Sequence, residues 1–203
     1  AKHLALLALT FFTATIAGTV FPFGRTEPPS VADPETFTQA LKMLFDLPAS
    51  YVMFAADAIS TALSNSSLLG EGLSFAVSLL FILISHEMGH YIACRIYRVD
   101  ATLPYFIPTP PMIGPAGTFG AFIKILAPMP SRKAVFDIGV AGPIAGFIAM
   151  LPVAILGIST MQVNVSAQIS PIEFSDPLLF RLIGWISGVD VSHGIINPFY
   201  AAA

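Results

Sequence analysis

One motif constrains this chain more than any other feature: residues 86–90 read His-Glu-Met-Gly-His and follow an apolar run from Leu73 to Ile84. Two histidines and a glutamate cost several kcal/mol to bury among such residues unless something uses them. Residues four apart share one face of a helix, so the rings of His86 and His90 should point the same way, one turn apart. The pattern predicts a long apolar helix that carries a set of functional side chains.

The spacing of the two histidines suits a divalent metal ion. Two neutral imidazole nitrogens can hold one zinc ion at about 2.0–2.1 Å. Glu87 projects roughly 100° around the helix from His86, where it can stand beside the metal and take a proton from metal-bound water. We therefore predict His86 and His90 as Zn²⁺ ligands and Glu87 as the catalytic residue. The alternative is a pair of core histidines with a glutamate at a water-filled cleft.

The composition indicates a membrane protein. Of the 203 residues, 55% are hydrophobic and only 10% are charged, whereas soluble domains carry about 25% charged residues. Such a chain lies in a lipid bilayer and crosses it more than once. The net charge of −3 offers no signature of nucleic-acid binding. Cys94 is the single cysteine, so an internal disulfide and a cysteine-based zinc cluster are excluded.

Apolar segments predict an α-helical polytopic fold with about three transmembrane helices and the start of a fourth. The first runs from Leu4 to about Phe21, the second from about Leu73 to Arg98, and the third from about Ser131 to Ile158. Asn197 begins the fourth. We expect Gly-Glu-Gly at residues 70–72 to separate the second helix from what precedes it.

The connecting segments predict shorter helices. Asp33 and the following proline mark the start of a surface helix over residues 35–45. Residues 51–69 form either an interfacial or a partly inserted helix. Residues 177–188 predict an amphipathic helix with Trp185 as an interface anchor.

Seven prolines between residues 100 and 130 exclude a transmembrane helix there. Glycines beside β-favouring residues predict a loop and then one or two short strands around residues 119–126. The result is a short membrane-associated β-hairpin or re-entrant loop between helices two and three, which must pack on protein or line a wet cavity. Its edge could pair with an unwound substrate, or the segment could be a plain hydrophobic connector.

The third helix has a face of small residues, which permits close approach of a neighbouring helix. This face comprises Gly139, Ala141, Gly142, Ala145, Gly146 and Ala149.

Lysine and arginine placement predicts the orientation of the chain in the membrane, because residues 95–133 carry five of the nine basic residues. The positive-inside rule puts the amino terminus and this connection in the cytoplasm, with the active site nearer the cytoplasmic face.

The order of four motifs resembles that of the site-2 protease family of intramembrane zinc metalloproteases. These motifs are His86–His90, Leu103–Pro108, Gly117–Ala121 and Asp137–Pro143. The resemblance covers roughly residues 72–158 and implies a protease core there. Residues 1–71 then form the first transmembrane helix with an extracytoplasmic or interfacial segment. Residues 159–203 form an extracytoplasmic loop and the start of the fourth helix.

The resemblance implies that His86 and His90 ligate zinc and that Glu87 activates water. The activity implied is hydrolysis of a peptide bond in or near the transmembrane segment of a membrane-protein substrate, so the implied partners are that substrate and the lipid bilayer. In the family, the third ligand is the aspartate of a Leu-Asp-Gly motif on a later helix. These 203 residues contain no such motif, and we expect the chain to be truncated before it.

Two residues within the chain could replace the third ligand, and neither is favoured. Asp137 fits better as an interfacial carboxylate opposite Arg132 or Lys133, and His193 fits better as an exposed loop histidine. Without a third ligand, a non-catalytic scaffold or pseudoprotease that binds membrane proteins is the main alternative function. A transporter that uses His86 and Glu87 as a relay ranks last, since it would need paired charges and repeated halves.

Overall fold

The computed structural model describes residues 2–20, 33–110, 113–163, 177–191 and 194–203. Its helices are α1 (Lys2–Ala17), α2 (Phe37–Ser64), α3 (Ser66–Ile96), α4 (Arg132–Ser159), α5 (Leu178–Ser187) and α6 (Pro198–Ala202). Its strands are β1 (Tyr105–Pro108), β2 (Thr118–Phe122), β3 (Gln162–Val163) and β4 (Gly194–Ile195), and a 3-10 turn spans Pro115–Gly117. The architecture is therefore mainly helical, as expected.

Two of the described helices, α3 and α4, are long and apolar enough to cross a membrane. They correspond to the second and third predicted transmembrane helices. The first predicted span appears as α1, which is apolar but only 16 residues long. A helix also begins at Pro198, where the fourth span was predicted to start. The count of three spans and part of a fourth, like the division into three segments, stays a prediction.

Helix α3 begins earlier than predicted, so the expected break at residues 70–72 is wrong. Asn65 caps the helix, and its side-chain oxygen accepts hydrogen bonds from the Ser67 and Leu68 N–H groups. Gly72 lies inside the helix and packs so tightly on α1 that a Cβ there would overlap the carbonyl oxygen of Thr15. Close packing of two helices thus outweighs the low helix propensity of glycine.

The start predicted for the surface helix at Asp33, and its end near residue 45, are also wrong. Helix α2 is capped by Thr36, which forms a reciprocal capping box with Gln39. This box satisfies two free backbone N–H groups at once and so fixes the helix start. The helix then continues through Pro48 and takes in residues 51–64 of the helix predicted over residues 51–69, whose last residues belong instead to α3.

Helix α4 matches its prediction closely, and Ser131 caps it by accepting a hydrogen bond from the Ala134 N–H. It packs along α3 in the most extensive contact between described elements. Gly89 of α3 lies at this contact, where a Cβ would come within 2.8 Å of the Ala145 Cβ. The predicted close approach of helices at the small-residue face is confirmed here.

The predicted β-hairpin is present between α3 and α4. Strands β1 and β2 pair antiparallel, with Tyr105 opposite Phe122 and Phe106 opposite Ala121. The first strand lies in a stretch that was expected to be a loop. Helix α1 supports the hairpin, because the Thr13 hydroxyl donates to the Gly117 carbonyl at 2.7 Å. The hairpin lies against α1, and its second strand also contacts α3.

Helix α5 confirms the short helix predicted for residues 177–188, and Gly188 ends it in the left-handed conformation at φ 70°. Its Phe180 is buried against Ala154 and Ile158 near the end of α4. Trp185 is 80% exposed on the other side, as an interface anchor would be.

Candidate metal and catalytic site

The histidine pair lies in α3 on the side that faces α4. The Nε2 atoms of His86 and His90 are 3.2 Å apart, and their rings meet edge to face with centroids 4.9 Å apart. A tetrahedral ion bound at about 2.0–2.1 Å by both nitrogens would separate them by about 3.3–3.4 Å. The predicted direction of both rings is confirmed, and the two histidines present fit one zinc ion.

A backbone carbonyl of α4 orients the His90 ring. His90 Nδ1 lies 2.6 Å from the Ile138 carbonyl oxygen. Since a carbonyl can only accept, this contact assigns the ring proton to Nδ1 and leaves the Nε2 lone pair free toward His86. Histidine ligands of metal ions are commonly fixed in this way, through the nitrogen that does not bind the metal.

Two glycines of α4 make room for the two rings. A Cβ on Gly142 would overlap the His90 ring, whereas a Cβ on Gly146 would lie 3.1 Å from His86 Nδ1. The small-residue face therefore receives the imidazoles directly. Gly139, which belongs to the same predicted face, differs because a Cβ there would meet nothing within 4 Å.

Glu87 lies beside the pair and is buried, at 6% exposure. It shares a cavity of about 410 Å³ with His90, walled by the end of the hairpin and the first turns of α4. The backbone N–H of Ile123 faces its carboxylate. A carboxylate placed this way can accept a proton from a reactant in the cavity, which is the role that the sequence predicted for it.

Of the two candidates for a third ligand, the structure describes only Asp137, which does not join this group. Asp137 accepts a hydrogen bond from the Tyr97 hydroxyl, across the contact between α3 and α4. His193 lies outside the described residues. Within the ranges that the structure describes, no three histidine, cysteine, aspartate or glutamate side chains come together at metal-binding distance.

The hydrogen bond to Asp137 raises the pKa of Tyr97, and desolvation and the carboxylate charge act in the same direction. The Tyr97 hydroxyl is the donor of this hydrogen bond. Asp137 directly precedes Ile138, whose carbonyl orients His90. The Tyr97–Asp137 pair thus joins the end of α3 to the turn of α4 that fixes a candidate ligand.

We expect Tyr97→Phe to weaken zinc binding by up to about 10-fold, at the low end of the effect of losing a partner that orients a ligand. The reason is that the Ile138 carbonyl loses a neighbouring restraint while both histidines remain. Competition with a chromogenic chelator measures the zinc dissociation constant in the full-length protein. Tyr91→Phe is the control, because no hydrogen bond to its hydroxyl occurs in the described part of the chain. Equal dissociation constants for both variants would show that the pair positions nothing.

The sequence pointed to the three side chains of the motif but to none of the groups that hold them. Ile138 and Ile123 act through backbone atoms, which leave no signature in residue type. Gly142 and Gly146 were visible as part of a small-residue face, although nothing in the spacing showed that each lies opposite a histidine. The proximity of Tyr97 to Asp137, 40 positions apart, had no local signal.

Comparison with known proteins bears on the family of the chain. The model of peptidase family M50 matches residues 74–198, which include most of α3, the hairpin and α4. The chain belongs to peptidase family M50. Members of this family, the site-2 proteases, are membrane proteins, and the two apolar helices α3 and α4 agree with that. The resemblance expected from the four motifs is therefore confirmed.

Several relatives are named as proteases. The chain is 35% identical over 106 residues to "Probable zinc metalloprotease EGY1, chloroplastic" of Oryza sativa subsp. japonica, covering 52% of this chain and 16% of that protein. It is 34% identical over 115 residues to the protein of that name in Arabidopsis thaliana, covering 55% and 20%. It is 29% identical over 141 residues to "Probable zinc metalloprotease EGY2, chloroplastic" of Oryza sativa subsp. indica, covering 68% and 25%. No solved structure matches the chain.

This M50 chain spans about a sixth to a quarter of the length of these relatives. Membership of the family supports metallopeptidase chemistry and zinc as the metal. The residues that lie at the site are those of the predicted motif.

Proposed function

We propose that this M50 chain forms the core of an intramembrane zinc metalloprotease, which hydrolyses a peptide bond in or near the transmembrane segment of a membrane protein. One observation carries the proposal: two imidazole Nε2 atoms lie 3.2 Å apart beside a buried glutamate, within an apolar helix long enough to cross a membrane. The names of the relatives support zinc and proteolysis.

Each residue of the site has a defined part in this proposal. His86 and His90 hold the metal through Nε2, and the Ile138 carbonyl keeps the His90 proton on Nδ1. Zinc, when bound, polarises the scissile carbonyl and lowers the pKa of its water, toward about 7 in favourable sites. Glu87 accepts the proton of the attacking water and passes it to the leaving amine. The Ile123 N–H faces the Glu87 carboxylate at the edge of the cavity.

The conformation of the substrate and the origin of the third zinc ligand are also part of what we propose. A helical substrate has every backbone group bonded internally, so it must unwind locally to expose a peptide bond to the site. A catalytic zinc site takes three protein ligands, and we propose that the third comes from outside these 203 residues. From the distribution of lysine and arginine, we propose that the site is nearer the cytoplasmic face.

Metal analysis and cleavage mapping of the full-length protein test the proposal. In lipid nanodiscs, we expect equimolar zinc and cleavage of a membrane-protein substrate at a bond that mass spectrometry places in or near its transmembrane segment. His86→Ala should lose zinc and cleavage together, because it removes one of the ligands.

The control is His3→Ala, which removes a histidine of α1 that hydrogen-bonds to the Pro104 carbonyl rather than to the site. It should keep the zinc. A wild-type protein that retains substrates without zinc and without cleaving them would be a scaffold. Cleavage confined to soluble domains of substrates would remove the intramembrane part of the proposal.

A further inference from the structure

The cavity beside Glu87 and His90 is larger than the space that an attacking water molecule needs. Its volume of about 410 Å³ falls in the range of about 300–1,000 Å³ typical of small-ligand sites. Apart from Glu87 and His90, the described residues that line it are apolar, and they include Ile123, Ile125 and Met129. Water gains little in such a space, whereas an apolar side chain gains van der Waals contacts with the walls.

Gly139 forms part of the cavity wall and leaves it open. It lies one turn before Gly142 on α4, yet a Cβ at Gly139 would meet no atom within 4 Å. At Gly142 and Gly146, by contrast, the space is taken by the histidine rings. The volume in front of Gly139 is therefore not used by any described side chain of the protein itself.

The cavity opens toward the outside of the protein near this glycine. Val135, one turn earlier on α4, is 52% exposed, and Phe122 on the facing strand is also exposed. A peptide whose backbone passes Glu87 can place one side chain between these two walls. The chemistry of the walls selects an apolar side chain, because a buried charge or an unpaired polar group would find no partner among them.

We propose that this cavity is a subsite for a large apolar side chain, such as leucine or phenylalanine, next to the bond that is cleaved. The subsite is formed by Ile123, Ile125, Met129 and Val135, and Gly139 sets its depth. The inference rests on the proposed function and adds the class of residue that the protease selects. Discrimination follows from size, since each additional methylene in an apolar pocket is worth about 10–200-fold in kcat/KM.

Gly139→Leu in the full-length protein tests the subsite by filling it. The substrate panel is one transmembrane-segment peptide in detergent, with alanine, leucine or phenylalanine placed in turn at each residue flanking the scissile bond. For the wild type, we expect kcat/KM to be at least about 10-fold higher for leucine or phenylalanine than for alanine at one of these positions. In Gly139→Leu, that ratio should fall by about 10-fold or invert, because the new side chain occupies the space.

Gly70→Leu is the matched control. Gly70 lies in α3, and a Cβ there also meets nothing within 4 Å, so the same substitution changes helix propensity without touching the cavity. It should keep the wild-type ratio. A wild type that cleaves all panel members equally, or a Gly139→Leu protein with an unchanged ratio, would overturn the subsite while leaving the protease intact.

Binding of the same peptides separates the two proposals if cleavage fails. If the wild type cleaves no panel member but binds the leucine peptide more tightly than the alanine peptide, and Gly139→Leu removes that difference, the subsite stands and the protease does not. If neither cleavage nor selective binding occurs, both proposals fall.

Discussion

Gly142→Ala is expected to lower zinc affinity by more than about 100-fold and to abolish proteolysis in the full-length protein. The added Cβ would overlap the His90 ring, so the ring must leave its position toward His86. That movement also breaks the hydrogen bond between His90 Nδ1 and the Ile138 carbonyl. Losing such an orienting partner alone costs about 10–100-fold in metal affinity, and displacing the ligand adds to this loss.

The fold itself should tolerate this change, since alanine is a better helix former than glycine by about 1 kcal/mol. Zinc content and chelator competition therefore report on the metal site, whereas thermal unfolding reports on the stability of the fold.

Gly146→Ala makes a graded comparison: its Cβ would lie 3.1 Å from His86 Nδ1, so a small shift suffices and a loss of zinc affinity of at most about 10-fold is expected. Gly70→Ala, in open space, should bind zinc as the wild type does. Wild-type zinc affinity in Gly142→Ala would show that the metal does not depend on the observed position of His90.

Glu87→Gln is expected to keep zinc and to lower kcat by about 10²–10⁴-fold, the usual contribution of a positioned acid or base. At about 1.36 kcal/mol for each factor of ten, this is roughly 3–5 kcal/mol of transition-state stabilisation. Glutamine preserves the size of the side chain, and its amide oxygen can still face the Ile123 N–H. It cannot take up a proton from water, so KM should change little while kcat falls.

The matched control is Glu35→Gln, the same change at an exposed residue before α2. Steady-state kinetics on a membrane-protein substrate, together with zinc content, distinguish the outcomes. Full activity in Glu87→Gln would remove Glu87 from the mechanism. Loss of zinc in that variant would instead make the carboxylate a ligand, which the present assignment excludes.

The sequence determined those features that depend on near neighbours along the chain. A four-residue spacing on one helix brings the two imidazoles to the same face, whatever else the chain does, and the long apolar stretches specify α3 and α4. Ser131 was visible as the point where α4 begins. The starts of α2 and α3 were mispredicted because a capping box at Thr36 and packing of Gly72 on α1 outweighed the local proline and glycine signals.

Only the tertiary structure decided which groups surround the motif. Ile138 and Gly142 reach His90 from about 50 positions away, and Ile123 reaches Glu87 from 36 positions away. Residue type limits which contacts are possible. Which of these contacts form depends on the rotation and depth at which α3, α4 and the hairpin pack. The arrangement adopted places Gly142 against the His90 ring and leaves Gly139 facing an open cavity.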